Sequence, residues 1–577
     1  MKTKVTLFLI ISLLSLNLYS TNYVVTTGTD NSTTPPSGSL REAITLANAD
    51  INIPHTITFS GVSTVTLVTA ALPVISKSLS IDGGTDHVTI YGYVNSSNSL
   101  LISASAEVSL SNLTFNGTIV SNSGTLTASN CTFTGGTAGI LKSSKSLSCN
   151  NCTFTGNTST SFGSAIYGNA AASIISLNNC IIYNNTSTGG PAIFSYGNDA
   201  SGSLTITNCR IYSNTNSNTG TSYGGGIGTA SANTTIINSE ISGNTANRGG
   251  GIALLVGGAN AKSKLTMTGC TVSGNSLGQY VASARGGGIY IQGTSANYTD
   301  NCVFTNCTIS GNSTPVIGGT TTTSLGGGVE IGGGANTSWI PTITFDNCTI
   351  TGNTVKGNTA GNTFSGGGVE RSMGTVYFNY CIIAGNNSNN TTTNDRNVSP
   401  YSTLWAYSTT GRNMYEGAVS WNGSTSTGNV ILTADISTII NTTLADNGGT
   451  TALPNGGFVK THALVEGCSA INPTSAASGL QTTDQRGFNR DATPDMGAYE
   501  FGGTVTKLDD PKNQKQILIT NHGITSLSDG TLEVITLSGT LLKTMHVMSN
   551  QTVEIPSGLY IIRFTTQNSM FTQKVLF

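Results

Sequence analysis

Large apolar residues alternate with small polar residues in short stretches along the middle of the chain. Most stretches begin with Asn, followed by Cys, Thr and a large apolar residue. Nine copies of this first pattern occur at spacings of 21 to 41 residues, at 130–133, 151–154, 179–182, 208–211, 238–241, 269–272, 306–309, 347–350 and 380–383. Alternate side chains of a strand share a face, so the cysteine and the apolar residue two positions later point the same way. The pattern predicts one short strand per repeat.

A second pattern, three glycines followed by Ile or Val, alternates with the first pattern. It occurs at 224–227, 249–252, 286–289, 326–329 and 366–369. Most copies of the first pattern run into a pair such as Gly311-Asn312, which is expected to form a corner with positive φ. Two strands and a third segment make one coil of a solenoid, with strands stacked about 4.8 Å apart and right-handed crossovers. The sequence therefore predicts a right-handed parallel β-helix.

The cysteines and the first helix-like segment bear on the core and on the open end of this solenoid. Eight of the 11 cysteines occupy the same slot of successive coils, so we expect a ladder of reduced, buried thiols.

Segment 38–48 places Leu40, Ile44 and Ala47 at helical spacing. A short amphipathic helix there is expected to plug the first coil, because the end of a solenoid exposes unpaired strand edges.

The N-terminus and the composition indicate export and exclude one class of partner. Lys2 and Lys4 precede an apolar run at 5–16 and small polar residues, the arrangement of a signal peptide over 1–20. No later stretch is long and apolar enough for a transmembrane helix. Only 9% of residues are charged and the net charge is −2, so no basic patch for nucleic acid is expected.

The Gly-rich repeat gives way to a different pattern at the C-terminus. Alternating segments at 532–539, 557–564 and 573–577 predict antiparallel strands in a small β-sandwich, so the whole chain is expected to be all-β. The expected division is a signal peptide at 1–20, an N-terminal cap and first coils at 21–99, the β-helix at 100–400, terminal coils at 401–502, a linker at 503–515 and the sandwich at 516–577.

Several segments resemble known families of exported proteins. The two repeats resemble those of pectin-lyase-like β-helices and polymorphic outer-membrane adhesins, and the C-terminal sandwich is similar to the sorting domain of type IX secretion cargo. Further segments, similar to the N-terminal motifs of large exported β-helix proteins and to the terminal region of the choice-of-anchor group, lie at 38–44, 72–83, 444–450, 461–464, 483–488 and 495–500. The resemblance implies display on, or release from, the surface of a Gram-negative bacterium through the secretion and sorting machinery.

The coils carry few residues of the types on which polysaccharide chemistry depends. No histidine lies between His87 and His462, and positions 101–400 hold eight Asp or Glu and ten Lys or Arg. Hydrolases of this fold need clustered carboxylates, and metal-dependent lyases need several acidic calcium ligands. The scarcity of these residues counts against an enzyme and predicts no cofactor.

One constellation remains a candidate catalytic site. Glu330 and Glu370 each follow a Gly-Gly-Gly-Val unit, so they are expected on neighbouring coils, facing outward about one strand spacing apart. Carboxylates near 5 Å apart suit a retaining glycosidase, whereas a solvated acidic pair is the simpler interpretation. Arg371 adjoins Glu370 and is a third candidate. Tyr290 holds the same slot one coil earlier, and Arg285 precedes its triple glycine, so these two are candidate ligand-binding residues.

Trp339 is a further candidate ligand-binding residue, because an exposed indole ring stacks well on a sugar ring. Like Trp405 and Trp421, Trp339 lies late in the chain, where the alternative role is to close the final coils.

Two functions stay open. The first is an adhesive or glycan-binding surface protein that performs no chemistry and contacts polysaccharide or a host or matrix surface. The second is a polysaccharide lyase or glycoside hydrolase acting on the β-helix face.

Overall fold

The computed structural model describes residues 21–576 except for a set of short segments. These are 32–33, 52–53, 69, 93–98, 197–200, 219–221, 232, 256–262, 279–282, 294–300, 315–322, 334–341, 357–362, 373, 389–395, 401–406, 410–411, 417–428, 474–480, 505–516, 521–522, 527–528, 537–539, 549–550, 556–558 and 566–569. The proposed signal peptide at 1–20 lies outside the described residues.

The chain winds into a right-handed parallel β-helix, so the predicted fold class is confirmed. Sheet 1 has 14 strands, Asn22–Val25, His55–Phe59, Leu79–Asp82, Glu107–Ser111, Thr125–Ser129, Ser146–Asn150, Ile174–Asn178, Ser203–Thr207, Asn233–Ile237, Leu265–Thr268, Asn301–Thr305, Thr342–Asp346, Thr375–Asn379 and Tyr407–Thr409. Sheet 2 has 15 strands, Thr29–Asp30, Thr64–Leu67, Val88–Tyr91, Leu113–Asn116, Thr132–Thr134, Thr153–Thr155, Ile181–Tyr183, Arg210–Tyr212, Glu240–Ser242, Thr271–Ser273, Thr308–Ser310, Thr349–Thr351, Ile382–Ile383, Met414–Glu416 and Val430–Leu432.

Three further sheets complete the coils. Sheet 3 has 11 strands, Leu100–Ile102, Val120–Asn122, Leu141–Ser143, Ile166–Gly168, Ile193–Ser195, Ile227–Thr229, Ile252–Leu254, Ile289–Gly293, Val329–Gly333, Val369–Arg371 and Val398–Pro400. Sheet 4 has eight strands, Thr158–Ser159, Thr186–Ser187, Thr215–Asn216, Thr245–Ala246, Ser276–Leu277, Ser313–Thr314, Thr354–Val355 and Asn387–Ser388. Sheet 5 has three strands, Ser283–Arg285, Thr323–Leu325 and Thr363–Ser365.

The core of the β-helix is a continuous stack of apolar columns, as the first pattern predicts. Cysteines follow one column from Cys131 to Cys381, and all 11 cysteines are free thiols, which confirms the predicted ladder. Ser239 takes the slot on one coil, where its hydroxyl accepts a hydrogen bond from the backbone N–H of Cys209 at 3.0 Å. Phenylalanines stack two residues further on, with Phe133 and Phe154 at a centroid distance of 4.7 Å.

The corner between sheets 1 and 2 lies before the cysteine, not only after the strand as the sequence suggested. The residue that precedes each slot of the cysteine column takes the left-handed conformation, as Asn208 does with a φ of 53°. Asn tolerates this region better than other residues with a side chain. The Gly of the Gly-Asn pair does form the expected second corner, with a φ of 65° at Gly311, but its Asn lies outside the positive-φ region and has a different role.

These asparagines form a buried ladder inside the corner between sheets 2 and 4. Each side-chain amide donates to the carboxamide oxygen of the next asparagine at 2.8–3.0 Å. Eight members lie at this corner, and Asn397, which precedes the sheet 3 strand Val398–Pro400, ends the ladder; the eight are Asn157, Asn185, Asn214, Asn244, Asn275, Asn312, Asn353 and Asn386. Because every member also bonds backbone groups, the ladder satisfies polar groups that would be costly to bury alone.

The predicted N-terminal plug is confirmed as the α-helix Leu40–Ala49, and 3₁₀ turns occur at Gly84–Asp86 and Ile436–Thr438. The Ser39 hydroxyl caps the helix by accepting from the Glu42 N–H, and the predicted apolar residues face the first coil. The buried guanidinium of Arg41 contacts the Asp30 carboxylate at 2.6 Å, which ties the plug to the first strand of sheet 2.

The C-terminal part folds into antiparallel sheets, as the alternating pattern predicts. One sheet contains Ile517–Thr520, Gly523–Ser526 and Thr552–Glu554, and the other contains Leu541–Val547, Gly530–Thr536, Leu559–Thr565 and Met570–Leu576. Ile524 and Val553 of the first sheet share an apolar core with Leu532 and Phe564 of the second sheet. This is a small sandwich with its own core.

Candidate functional site

Glu330 and Glu370 lie on neighbouring strands of sheet 3, as the sequence predicts. They are Cα partners in the parallel register, as are Val329 and Val369 before them. The expectation that their side chains face solvent is wrong, because both glutamates are 0% exposed. The glycine turn before each strand packs closely against the glutamate of that strand. A Cβ atom at Gly326 would lie 2.6 Å from the Cβ of Glu330.

The Glu330 carboxylate is held by an ion pair. Nη1 of Arg285 donates to Oε1 of Glu330 at 2.7 Å, and the Ser372 hydroxyl donates to the same oxygen at 3.3 Å. Burial raises the pKa of Glu330 above its ordinary value, and the Arg285 guanidinium partly opposes that rise. On the next coil, Oε2 of Glu370 accepts from the Ser365 hydroxyl at 2.8 Å. Arg285, which the sequence offered as a candidate ligand-binding residue, is instead the ion-pair partner of the buried Glu330.

Arg371 is not brought to the two carboxylates by its side chain. Its Cα partner is Ile331, a core residue, so Arg371 lies on the face of the strand opposite Glu370. The side chain is only 1% exposed, and its Nη1 donates to the backbone oxygen of Gly374 at 3.2 Å. Adjacency in sequence suggested a shared site, and the alternation of side chains along a strand prevents it.

Tyr290 occupies the same slot as Glu330, one coil earlier, as the sequence predicts. Its ring is 2% exposed and stacks on the Tyr223 ring at a centroid distance of 6.0 Å. The Arg248 guanidinium lies 5.5 Å from the Tyr223 ring centre and 5.8 Å from the Tyr290 ring centre. Burial raises the pKa of Tyr290 above its ordinary value.

Sequence reasoning missed Tyr223 and Arg248, although a positional signal exists. Tyr223, Arg248 and Arg285 each directly precede a triple glycine, and bridges join them from coil to coil. In the resulting cluster of two tyrosines, two arginines and Glu330, Arg285 pairs with the buried carboxylate and Arg248 contacts both tyrosine rings. The cluster offers no exposed carboxylate to a substrate. Trp339, Trp405 and Trp421 lie outside the described residues.

The segments 436–473 and 481–504, which we call the returning segment, form a second feature that the sequence did not predict. They return along the outer face of sheet 2, over the threonines that follow the cysteines. The Thr308 hydroxyl donates to Oε1 of Gln485, and the Ala498 N–H donates to the Thr349 hydroxyl at 3.0 Å. Nη2 of Arg210 donates to the Gly456 oxygen at 2.8 Å. The segment thus spans several coils rather than only closing the last one.

Buried ion pairs stabilise the returning segment and connect it to the β-helix. Arg490 pairs with the Glu500 carboxylate at 3.1 Å and also donates to Oδ1 of Asn306, a corner residue of the β-helix. Arg486 pairs with Asp484 at 2.7 Å and stacks over the Tyr499 ring. Burial raises the pKa of Glu500 to about 7. The motifs at 483–488 and 495–500 therefore have a structural role in this chain.

The sequence comparisons add no family to this picture. The chain matches no protein-family model, and no curated protein is significantly similar to it. Across the described ranges, no group of three or more His, Cys, Asp or Glu side chains is placed to hold a metal ion. No helix in the same part of the chain is long and apolar enough to cross a membrane. The fold and the buried cluster define a parallel β-helix protein with a long polar exterior.

Proposed function

We propose that the chain is an exported β-helix protein, secreted or held at the surface of a Gram-negative bacterium, that binds glycans or a host or matrix surface without catalysis. The pectin-lyase-like and choice-of-anchor resemblances support the export of a β-helix of this kind. The resemblance of 516–577 to a type IX sorting domain supports delivery across the outer membrane. The low charge of the chain suits contact with uncharged, hydroxyl-rich ligands.

The observation that carries the non-catalytic part of this proposal is the burial of Glu330 and Glu370. Glycoside hydrolysis by a carboxylate pair requires both groups to flank the scissile bond. Here both carboxylates are 0% exposed, and one is bound by Arg285 at 2.7 Å. Residues held in this way stabilise the coil and leave binding to the outer surface.

The test uses the mature chain on immobilised glycans, followed by analysis of the bound material for new reducing ends. We expect retention on at least one glycan with no reducing ends released. Retention with cleavage contradicts the non-catalytic proposal, and the absence of retention on any glycan or matrix surface contradicts the binding proposal.

A polysaccharide lyase or glycoside hydrolase is the second candidate, favoured by one observation. Glu330 and Glu370 are register partners, and the raised pKa of Glu330 is a property of a general acid. A panel of polysaccharides separates the candidates. The enzyme hypothesis requires products from the wild type and their loss in Glu330→Gln/Glu370→Gln. Product release that is equal in both proteins assigns the activity elsewhere.

Delivery is tested by deleting 516–577 in a Gram-negative bacterium that has type IX secretion. The expected result is that the shortened chain is retained in the periplasm, while the complete chain reaches the surface or the medium. Equal export of both chains contradicts the sorting role.

A further inference from the structure

Four aromatic rings cluster outside the core on the early coils of the β-helix. Tyr167 and Phe194 are Cα partners on neighbouring strands of sheet 3. Phe162, in the turn before the first of these strands, stacks on Phe194 at a centroid distance of 4.5 Å and an interplanar angle of 21°. The ring centre of Tyr196 lies 6.3 Å from that of Phe194. We call these four residues the aromatic platform.

Two of the four rings of the platform are exposed to solvent. Phe162 is 42% exposed and Tyr196 is 41% exposed, whereas Phe194, which contacts both rings, is buried. None of the four rings belongs to the main apolar core, so the packing of the coils does not account for the two exposed rings. Exposed apolar residues on a protein surface are usually scattered singly, whereas Phe162 and Tyr196 are joined through Phe194 into one aromatic cluster.

The backbone around the platform makes room for the ring of Phe162. A Cβ atom at Gly190 would lie 2.5 Å from Cδ1 of Phe162, so a glycine is required for the ring to lie flat against the neighbouring coil. On the same neighbouring coil the ring of Phe162 stacks on Phe194. The position of the exposed ring is thus determined by the next coil and is not a property of the turn alone.

The size of the platform selects its occupant. An aromatic side chain carries about 150–250 Å² of surface. The two exposed fractions therefore present roughly 170 Å², far below the ~800 Å² that each partner contributes to a standard protein interface. The surface instead fits one or two sugar rings. A pyranose has an apolar face of C–H groups and a rim of hydroxyls, and the platform combines aromatic rings with the hydroxyls of Tyr167 and Tyr196.

We propose that the aromatic platform is a glycan-binding site, at which pyranose rings of a polysaccharide stack on Phe162 and Tyr196. The inference rests on the glycan-binding function proposed above and assigns that function a location. It places the site on the early coils, away from the Glu330 cluster. Stacking on the ring faces supplies affinity, and hydrogen bonds to the tyrosine hydroxyls supply orientation.

The test measures the affinity of the mature chain for cellohexaose, xylohexaose, mannohexaose, chitohexaose and a galacturonic acid hexamer by titration calorimetry. We expect Phe162→Ala/Tyr196→Ala to bind about tenfold more weakly than the wild type to the hexasaccharides that bind. Tyr196→Phe keeps the ring and should retain most of the affinity. The matched control is Tyr183→Ala, which removes one ring of the stacked pair Tyr183–Tyr212 on sheet 2. That control should change affinity less than twofold.

Three outcomes overturn the proposal. Undiminished binding by Phe162→Ala/Tyr196→Ala, in a chain whose thermal unfolding is unchanged, removes the platform as the site but leaves the glycan-binding function intact. Failure of all five hexasaccharides to bind overturns the platform, and the immobilised glycans then decide the wider function separately. Self-association of the wild type that the double variant abolishes, measured by light scattering, identifies the platform as a contact between copies of the chain.

Discussion

His462 and Ser310 are 152 positions apart in sequence, yet Nε2 of His462 lies 2.7 Å from the Ser310 hydroxyl. Nδ1 of the same ring lies 2.8 Å from the Asn441 carbonyl oxygen. Because a carbonyl oxygen only accepts, Nδ1 carries the proton and Nε2 accepts from Ser310. The contact joins the returning segment to a strand of sheet 2, and the burial of the ring favours the neutral imidazole.

Acidification should therefore weaken the docking of the returning segment. Burial lowers the pKa of His462 below its ordinary value of 6.5. The unfolded chain then binds the proton more readily than the folded chain, so stability falls as the pH drops from 6.5 to the folded pKa. In urea unfolding, the stability advantage of the wild type over His462→Gln should shrink from pH 7.5 to pH 5.5.

The stability of the wild type must be compared with that of His462→Gln at each pH, because Glu500 also titrates in this range. Its raised folded pKa of about 7 gives a contribution that declines as the pH rises toward 7, opposite in sign to that of His462. The His462→Gln comparison cancels this contribution because Glu500 is present in both proteins. An advantage of the wild type that is equal at both pH values contradicts the prediction.

The asparagine ladder should be more important for stability than its polarity suggests. Asn275 donates to the Ile241 oxygen and to Asn312, and its own oxygen accepts from the backbone and side chain of Asn244. Asn275→Ala leaves several of these buried groups without partners, and each costs about 1–3 kcal/mol. We expect a loss of at least about 3 kcal/mol in the free energy of unfolding, measured with urea. Asn233→Ala, at an exposed position of sheet 1, is the matched control and should cost less than about 0.5 kcal/mol.

Breaking the ion pair between Arg285 and Glu330 should destabilise the fold, because it leaves the Glu330 charge buried and unpaired. Arg285→Ala leaves the buried Glu330 carboxyl without its guanidinium, which should cost about 3 kcal/mol. Arg285→Ala/Glu330→Ala removes the buried charge as well and should recover part of the loss. A double-mutant cycle by thermal unfolding measures this coupling.

Arg248→Ala provides the control for that cycle. The Arg248 guanidinium lies over the Tyr223 ring, and its Nη1 donates to the Tyr223 hydroxyl at 3.2 Å. Its loss should cost clearly less than the loss of Arg285. Equal costs, or a double variant less stable than Arg285→Ala, contradict a special role for the ion pair.

The cysteine ladder makes a separate prediction about thiol reactivity. Burial raises the pKa of Cys270 and Cys348 well above the ordinary value, so little thiolate forms at neutral pH. Cys468 alone is partly exposed, so the native chain should react rapidly with a thiol reagent at one position. In denaturant all 11 cysteines should react. A smaller number in denaturant reveals disulfides, and several fast thiols in the native chain reveal an open ladder.

Much of the fold could be predicted because its information is local and repeated. The alternation around Cys131 and its counterparts sets the inward face of each strand, and the spacing of the copies sets the coils. Ser39 and Leu40 begin the plug by ordinary capping and amphipathic rules. The site was harder to predict because exposure depends on what lies above a side chain. Glu330 and Glu370 have the correct register, but the neighbouring turn and coil bury them.

The sequence by itself therefore determined the strands, their inward faces, the parallel stacking and the free cysteine column, because a two-residue period and a repeat need no distant contact. Tertiary structure alone decided which outward residues meet water. It buried Thr308 beneath Gln485 from 177 positions away and set Phe162 against Gly190 of the next coil. These arrangements depend on loops and on a returning segment with no period of their own, so no pattern in the sequence encodes where they lie.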